Sequence, residues 1–203
     1  ADEMAFLHDD AANPMISYPL RLFDCSPISD GSACILLVAE ERAREFTDSP
    51  IRVIGTGQAS DVMLAERPDM TTLLAARKAS AMAYEMAGVT ARDIRIAEVH
   101  DCFTIAEVLA TEDLGFFAPG TGHEAAEEGL TIRHGLKPIN TSGGLKSKGH
   151  PVGASGAAQV VEVWKQMRGT AGERQVDRDV GVALTHNVGG TGQTAVVHIY
   201  ERR

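Results

Sequence analysis

The 203-residue chain is 44% hydrophobic and 23% charged, a balance that supports a sizeable buried core and excludes disorder as a description of the whole. Its formal net charge of -9 excludes a basic, phosphate-tracking groove, so no nucleic-acid partner is expected. No apolar run approaches a membrane span and the opening ADEMAFLHDDAANP lacks the layout of a signal peptide, so a cytoplasmic protein with no membrane partner is expected.

In chain order, the first twenty residues read as a loop or arm, with turn formers at Asn13-Pro14 and Tyr18-Pro19 and no sustained apolar period. ACILLVA, 33–39, reads as a short buried strand, and EERAREF, 40–46, as a short helix. Thr47-Asp48-Ser49-Pro50 then punctuates the chain and predicts a domain boundary near residue 50, separating 1–50 from 51–203. IRVIGTGQAS, 51–60, opens a second strand. Over 71–87 Leu73, Leu74, Ala76, Ala79, Met82, Ala83 and Met86 recur at helical spacing until Gly88, which predicts a helix with one core face. A strand is predicted over 94–100, a helix over 102–114 ending at Gly115, and a long helix over 154–167. Two last strands, 180–187 and 193–201, flank GGTG and predict a hairpin. Five strands alternating with helices predict an α/β fold, a mixed five-stranded sheet with helices on both faces.

Three segments place titratable side chains at the ends of these elements. VHDCFT puts His100 and Cys102 where a strand passes into a helix, the place where open α/β sheets present functional groups. KGHPVGASG holds His150 on a glycine-flanked turn. ALTHNVGGTG puts His186 and Asn187 at a strand end before glycines whose N–H groups can face a developing oxyanion. Any one of these histidines alone suits a hydrogen-bonded structural role; the three together point to a site. His100, Cys102, His150 and His186 match no zinc-ligand spacing, and the odd set Cys25, Cys34 and Cys102 shows no CxxC pair, so no metal site and no disulfide framework is expected. Cys25 and Cys34 are expected to be core thiols.

In this order, DCSPISDGSA (24–33), EVHDCFTIAEVLATEDLGF (98–116), NTSGGLKSKGHPVGASG (140–156) and THNVGGTG (185–192) resemble the C-terminal half of a thiolase, most closely the sterol-carrier-protein-2 type and its archaeal and bacterial relatives. The resemblance implies a thiolase-like fold and an acyltransferase that makes or cleaves the carbon–carbon bond of a 3-ketoacyl-CoA through an acyl-cysteine. It implies that His150, the histidine of GHP, activates the nucleophilic cysteine and holds the thioester oxygen, with His100 completing that oxyanion hole. Where most thiolases carry a second, acid/base cysteine in a CxG segment, this chain has Asn187, and Cys102 resembles the replacement; Gly189 would offer a backbone N–H to a second oxyanion hole. Imidazoles and a helix N-terminus beside Cys102 are expected to favour its thiolate.

The family's nucleophilic cysteine belongs to an N-terminal half, and neither Cys25 nor Cys34 lies in its motif. Residues 1–50 are therefore expected to be a remnant of that half, and the chain a fragment, inactive alone, that needs an N-terminal half or partner chain. The resemblance further implies acyl-CoA as substrate, no covalently bound cofactor and a homo-oligomer; it assigns no residue to holding coenzyme A. Two other readings stand beside it: a thiolase-like retro-aldol lyase acting on a CoA thioester with a zinc-ribbon/OB-fold partner, and a non-catalytic binding subunit.

Overall fold

A computed structural model describes residues 3–202. Where an irregular arm is expected, the chain begins with a short helix, α1 (Glu3–His8), and a two-stranded antiparallel ribbon, β1 (Met15–Ser17) and β2 (Leu20–Arg21). One buried side chain accounts for this order. Asn13 donates from Nδ2 to the Leu7 carbonyl (2.8 Å) and accepts the Phe23 N–H at Oδ1 (2.8 Å), so a single amide ties α1 to the chain beyond β2. Periodicity cannot reveal such a link.

The main sheet has four strands: β3 (Ile51–Ser60), β4 (Ile96–Glu98), β5 (Val182–Gly189) and β6 (Thr194–Arg202), in the order β3-β6-β5-β4. The sheet is mixed, because β3 and β5 both run antiparallel to β6 whereas β4 is parallel to β5. The β5–β6 pair is the expected hairpin, with Gly189 opposite Thr194. The fifth strand, expected over 33–39, does not form. Leu36 and Leu37 are 71% and 74% exposed, and among the described residues no neighbouring strand offers that segment a ladder. The helix expected over 40–46 is a 3-10 turn, Glu40–Glu45.

Helices cover both faces. On one, α2 (Leu74–Ala87) and α3 (Thr104–Asp113) close over Ala97, Leu184, Ala195, Val197 and Ile199. On the other, α6 (Ser155–Arg168) packs Val163 and Met167 against Ile96, Ala183 and Tyr200. Each fully buried valine, leucine, isoleucine or methionine side chain in these layers stabilises the fold by about 1.5–3 kcal/mol. The two long helices end on left-handed glycines, α2 on Gly88 (φ 66°), as the sequence predicts, and α6 on Gly169 (φ 69°).

The face of α2 differs from the expected stripe. Ala75, Ala76, Ala79, Ser80 and Ala83 are buried, whereas Met82 and Met86 are half or more exposed. The cause lies in β3, where Gly55 and Gly57 let the sheet press against the helix backbone; a Cβ at Gly57 would collide with the Ala79 carbonyl and one at Gly55 with that of Ala83. Only small residues fit so close an approach. Gly57→Ala is therefore expected to push helix and sheet apart and to cost about 1–3 kcal/mol, read as a lower midpoint in denaturant at an unchanged slope. An unchanged midpoint would mean that α2 does not sit this close to β3.

Two short helices, α4 (Gly122–Glu127) and α5 (Gly144–Lys148), go beyond the sequence reading. Each opens on a glycine and is too short to show an apolar period.

Candidate active site

The parallel strands β4 and β5 deliver the site. In their register Glu98 lies opposite Thr185, so His100, two residues past the end of β4, and His186 and Asn187 on β5 come to the same sheet end. The third histidine arrives from α5 and the turn before α6. His150 meets His100 edge to face, with ring centroids 5.0 Å apart and an interplanar angle of 86°. Two histidines fifty positions apart in the sequence thus form one pair.

One hydroxyl orients His150. Ser155 Oγ lies 2.7 Å from His150 Nδ1 and 3.1 Å from the Pro151 carbonyl, an atom that can only accept, so the ring is tied to its own turn through Nδ1. Nε2 is the ring nitrogen left to exchange a proton with a thiol. His100 is tuned differently. Burial lowers its pKa from the ordinary 6.5 to about 4, His150 adds to the shift, and the Asn187 side chain pulls the other way. Near neutral pH the ring is uncharged and offers one N–H as a donor. His186 is wholly buried and lowered to about 3, first by burial and then by His100, so the third imidazole is also neutral.

Cys102 does not match its expectation. Its pKa is raised, first by burial and next by the neighbouring Asp101 carboxylate; backbone N–H groups at Phe103 and Cys102 oppose this, and Cys25 adds to the rise. The helix begins only at Thr104 with Phe103 extended, and Asp101 places negative charge where imidazole was expected to dominate. Among the described residues no hydrogen bond joins the Cys102 thiol to either imidazole; its carbonyl accepts the Ser26 N–H (2.9 Å) and Cys25 bridges to Phe103. Gly189 lies two residues beyond Asn187 at the exposed tip of β5, in the same sheet corner as the imidazole pair but paired with Thr194. Cys25 is half-buried and Cys34 exposed, so the latter is not the expected core thiol: it belongs to the segment that found no strand partner. Among the described residues no group of three histidine, cysteine or acidic side chains is placed to hold a metal ion.

A layer of buried acids that the sequence reading passed over supports these loops. Glu98, 1% exposed, accepts from Ser142 Oγ (2.5 Å) and the Ser142 N–H (3.0 Å) and pairs with Lys148 Nζ (3.6 Å); burial still raises its pKa. Asp101 accepts the Leu145 N–H at 2.7 Å and so caps α5, in space that a Cβ at Gly144 (φ 62°) would fill. Burial raises the Glu107 pKa from 4.5 to about 7, against a hydrogen bond from Asn140. The folded chain therefore holds a proton on Glu107 that the unfolded chain releases between about pH 4.5 and 7, so this group makes stability fall as pH rises through that window. Glu107→Gln should flatten the dependence of the melting temperature on pH across the same interval; an unchanged slope would show that Glu107 is ordinary in the folded state.

A family model described as thiolase C-terminal domain-like matches residues 57–202. The chain is 51% identical over 189 residues to an acetyl-CoA acetyltransferase of Methanothermobacter thermautotrophicus, covering 93% of this chain and 49% of the relative. It is 36% identical over 188 residues to human sterol carrier protein 2, covering 90% of this chain and 34% of that protein. Among solved structures it superposes on a chain of an Ltp2-ChsH2(DUF35) aldolase with a TM-score of 0.83 at 26% identity, covering 96% of this chain and 50% of the other. The chain spans about half the length of the archaeal relative and of the aldolase chain, and about a third of sterol carrier protein 2.

Proposed function

The chain belongs to the thiolase C-terminal domain-like family, and on that premise we propose that it supplies the histidine half of a thiolase centre acting on 3-ketoacyl-CoA. The observation that carries this reading is the His100–His150 pair, one ring tied to its turn through Nδ1 and the other held neutral by burial. In the cleavage direction a cysteine outside these residues loses its proton to His150 Nε2 and attacks the 3-keto carbon. The C2–C3 bond then breaks, its electrons passing into an acetyl-CoA enolate. Donors fixed at His100 and His150 meet the enolate oxygen, and Cys102 protonates C2; the second CoA thiol releases the acyl group from cysteine. The raised pKa of Cys102 suits this direction, because a thiol that keeps its proton starts as the acid. Gly189 is assigned the donor for the tetrahedral oxyanion.

We assign residues 1–50 to the junction with a nucleophile-bearing N-terminal half and 51–203 to the C-terminal domain. The exposed apolar run Ile35, Leu36, Leu37 and Val38 supports that division, because it needs a covering surface. Free thiols at Cys25, Cys34 and Cys102 suit the cytoplasm, and a homo-oligomer is the proposed working form.

A second reading has its own support. The aldolase likeness and a Cys102 thiol unlinked to imidazole both suit a retro-aldol lyase working with a zinc-ribbon/OB-fold partner. The two are separated by the co-substrate. A thiolase consumes one CoA thiol per 3-ketoacyl-CoA and yields two thioesters, whereas a lyase splits a 3-hydroxyacyl-CoA into a carbonyl compound and one thioester without added CoA. Product analysis with and without CoA decides between them.

A further inference from the structure

The segment that carries His100 and the one that leads to His150 are laced together, and one side chain sits at the crossing. Asn140 donates its N–H to the Ala97 carbonyl (2.9 Å) and accepts the Val99 N–H at Oδ1 (2.8 Å), one residue before His100. Its Nδ2 donates to Glu107 Oε2 on α3 (2.7 Å), and its carbonyl accepts the Gly143 N–H (2.9 Å). Asn140 is also left-handed at φ 51°, a conformation that asparagine tolerates better than most residues. Two further rungs flank it, Glu98 to Ser142 and Asp101 to Leu145.

We propose that Asn140, clamped by Glu107, is the positioning residue that sets the separation of the His100 and His150 rings. Geometry makes the demand specific. The side chain must present an acceptor to Val99 and a donor to Glu107 from one short stem in a left-handed backbone. Glycine supplies neither group, and aspartate supplies the acceptor without the donor. Glu107 in turn anchors the amide to α3, the helix that continues from the His100 loop, so a twist of the amide shifts the His100 segment relative to the loop that leads to His150. The inference rests on the thioester reading only for its catalytic consequence; the positional claim stands on the hydrogen bonds alone.

The test is an exchange of donor and acceptor in the complete protein. In Asn140→Asp two carboxylates face one another at mildly alkaline pH. In Asn140→Asp with Glu107→Gln the bond is restored with its polarity reversed, the glutamine Nε2 now donating to the aspartate; Glu107→Gln alone completes the cycle. Two readouts are taken, the rate with a CoA thioester and the ring separation in crystal structures of the variants. The expected result is a fall in kcat on the order of 100-fold in Asn140→Asp, with a changed His100–His150 separation and melting still cooperative. The double variant should regain most of the rate and the original separation.

A double variant that folds but remains as slow and as displaced as Asn140→Asp overturns the proposal. So does an Asn140→Asp protein with parental ring positions and rate. If the parent turns over no CoA thioester, yet the rings shift in Asn140→Asp and return in the double variant, the positioning role is upheld and the thioester reading falls.

Discussion

Replacing His150 by alanine in the complete protein is expected to slow acylation by an acyl-CoA donor by roughly two to three orders of magnitude. The imidazole that takes the thiol proton in the proposed mechanism disappears, so the nucleophilic thiol must ionise without a base. Rapid quenching that follows the first equivalent of released CoA measures the step directly. An acylation rate within a few-fold of the parent would show that His150 is a packing residue of the turn.

Cys102→Ser is expected to separate the two halves of the reaction. Acylation should stay within a few-fold of the parent, while carbon–carbon bond formation and thiolysis fall by about 10²- to 10⁴-fold. A hydroxyl is a far weaker proton donor than a thiol near neutral pH, and in the proposed mechanism the Cys102 thiol is the acid that protonates C2. Equal loss of both steps would place the defect in folding, and full retention of both would reduce Cys102 to a neighbour of Cys25 in the packing of the segment before β3.

Much of this architecture is legible in the sequence. Periodic apolar spacing up to Gly88 locates α2, the run 154–167 locates α6, and the strands flanking GGTG locate the β5–β6 hairpin, because each signal is local. The failures are non-local. The run at 33–39 has the composition of a buried strand, but a strand exists only where another pairs with it. Met82 and Met86 fit the helical period, and only the glycines of a distant strand decide that alanine faces the sheet instead. In the site, the three histidine motifs are readable because each closes a regular element. The acids Glu98, Asp101 and Glu107 are not, because their importance comes from the loop 140–149 that folds back over them. The thiol of Cys102 shows the same limit: sequence places it near a helix start, whereas burial and Asp101 set its chemistry.

In the proposed mechanism the histidine pair serves a cysteine acylated by a CoA thioester. Intact-protein mass spectrometry after brief incubation of the complete protein with acetyl-CoA tests it most directly. The expected result is an added acetyl group on one cysteine outside the described residues, retained in Cys102→Ser, nearly absent in His150→Ala, and removed by free CoA. No adduct in the parent, or an adduct formed equally well without His150, would contradict it.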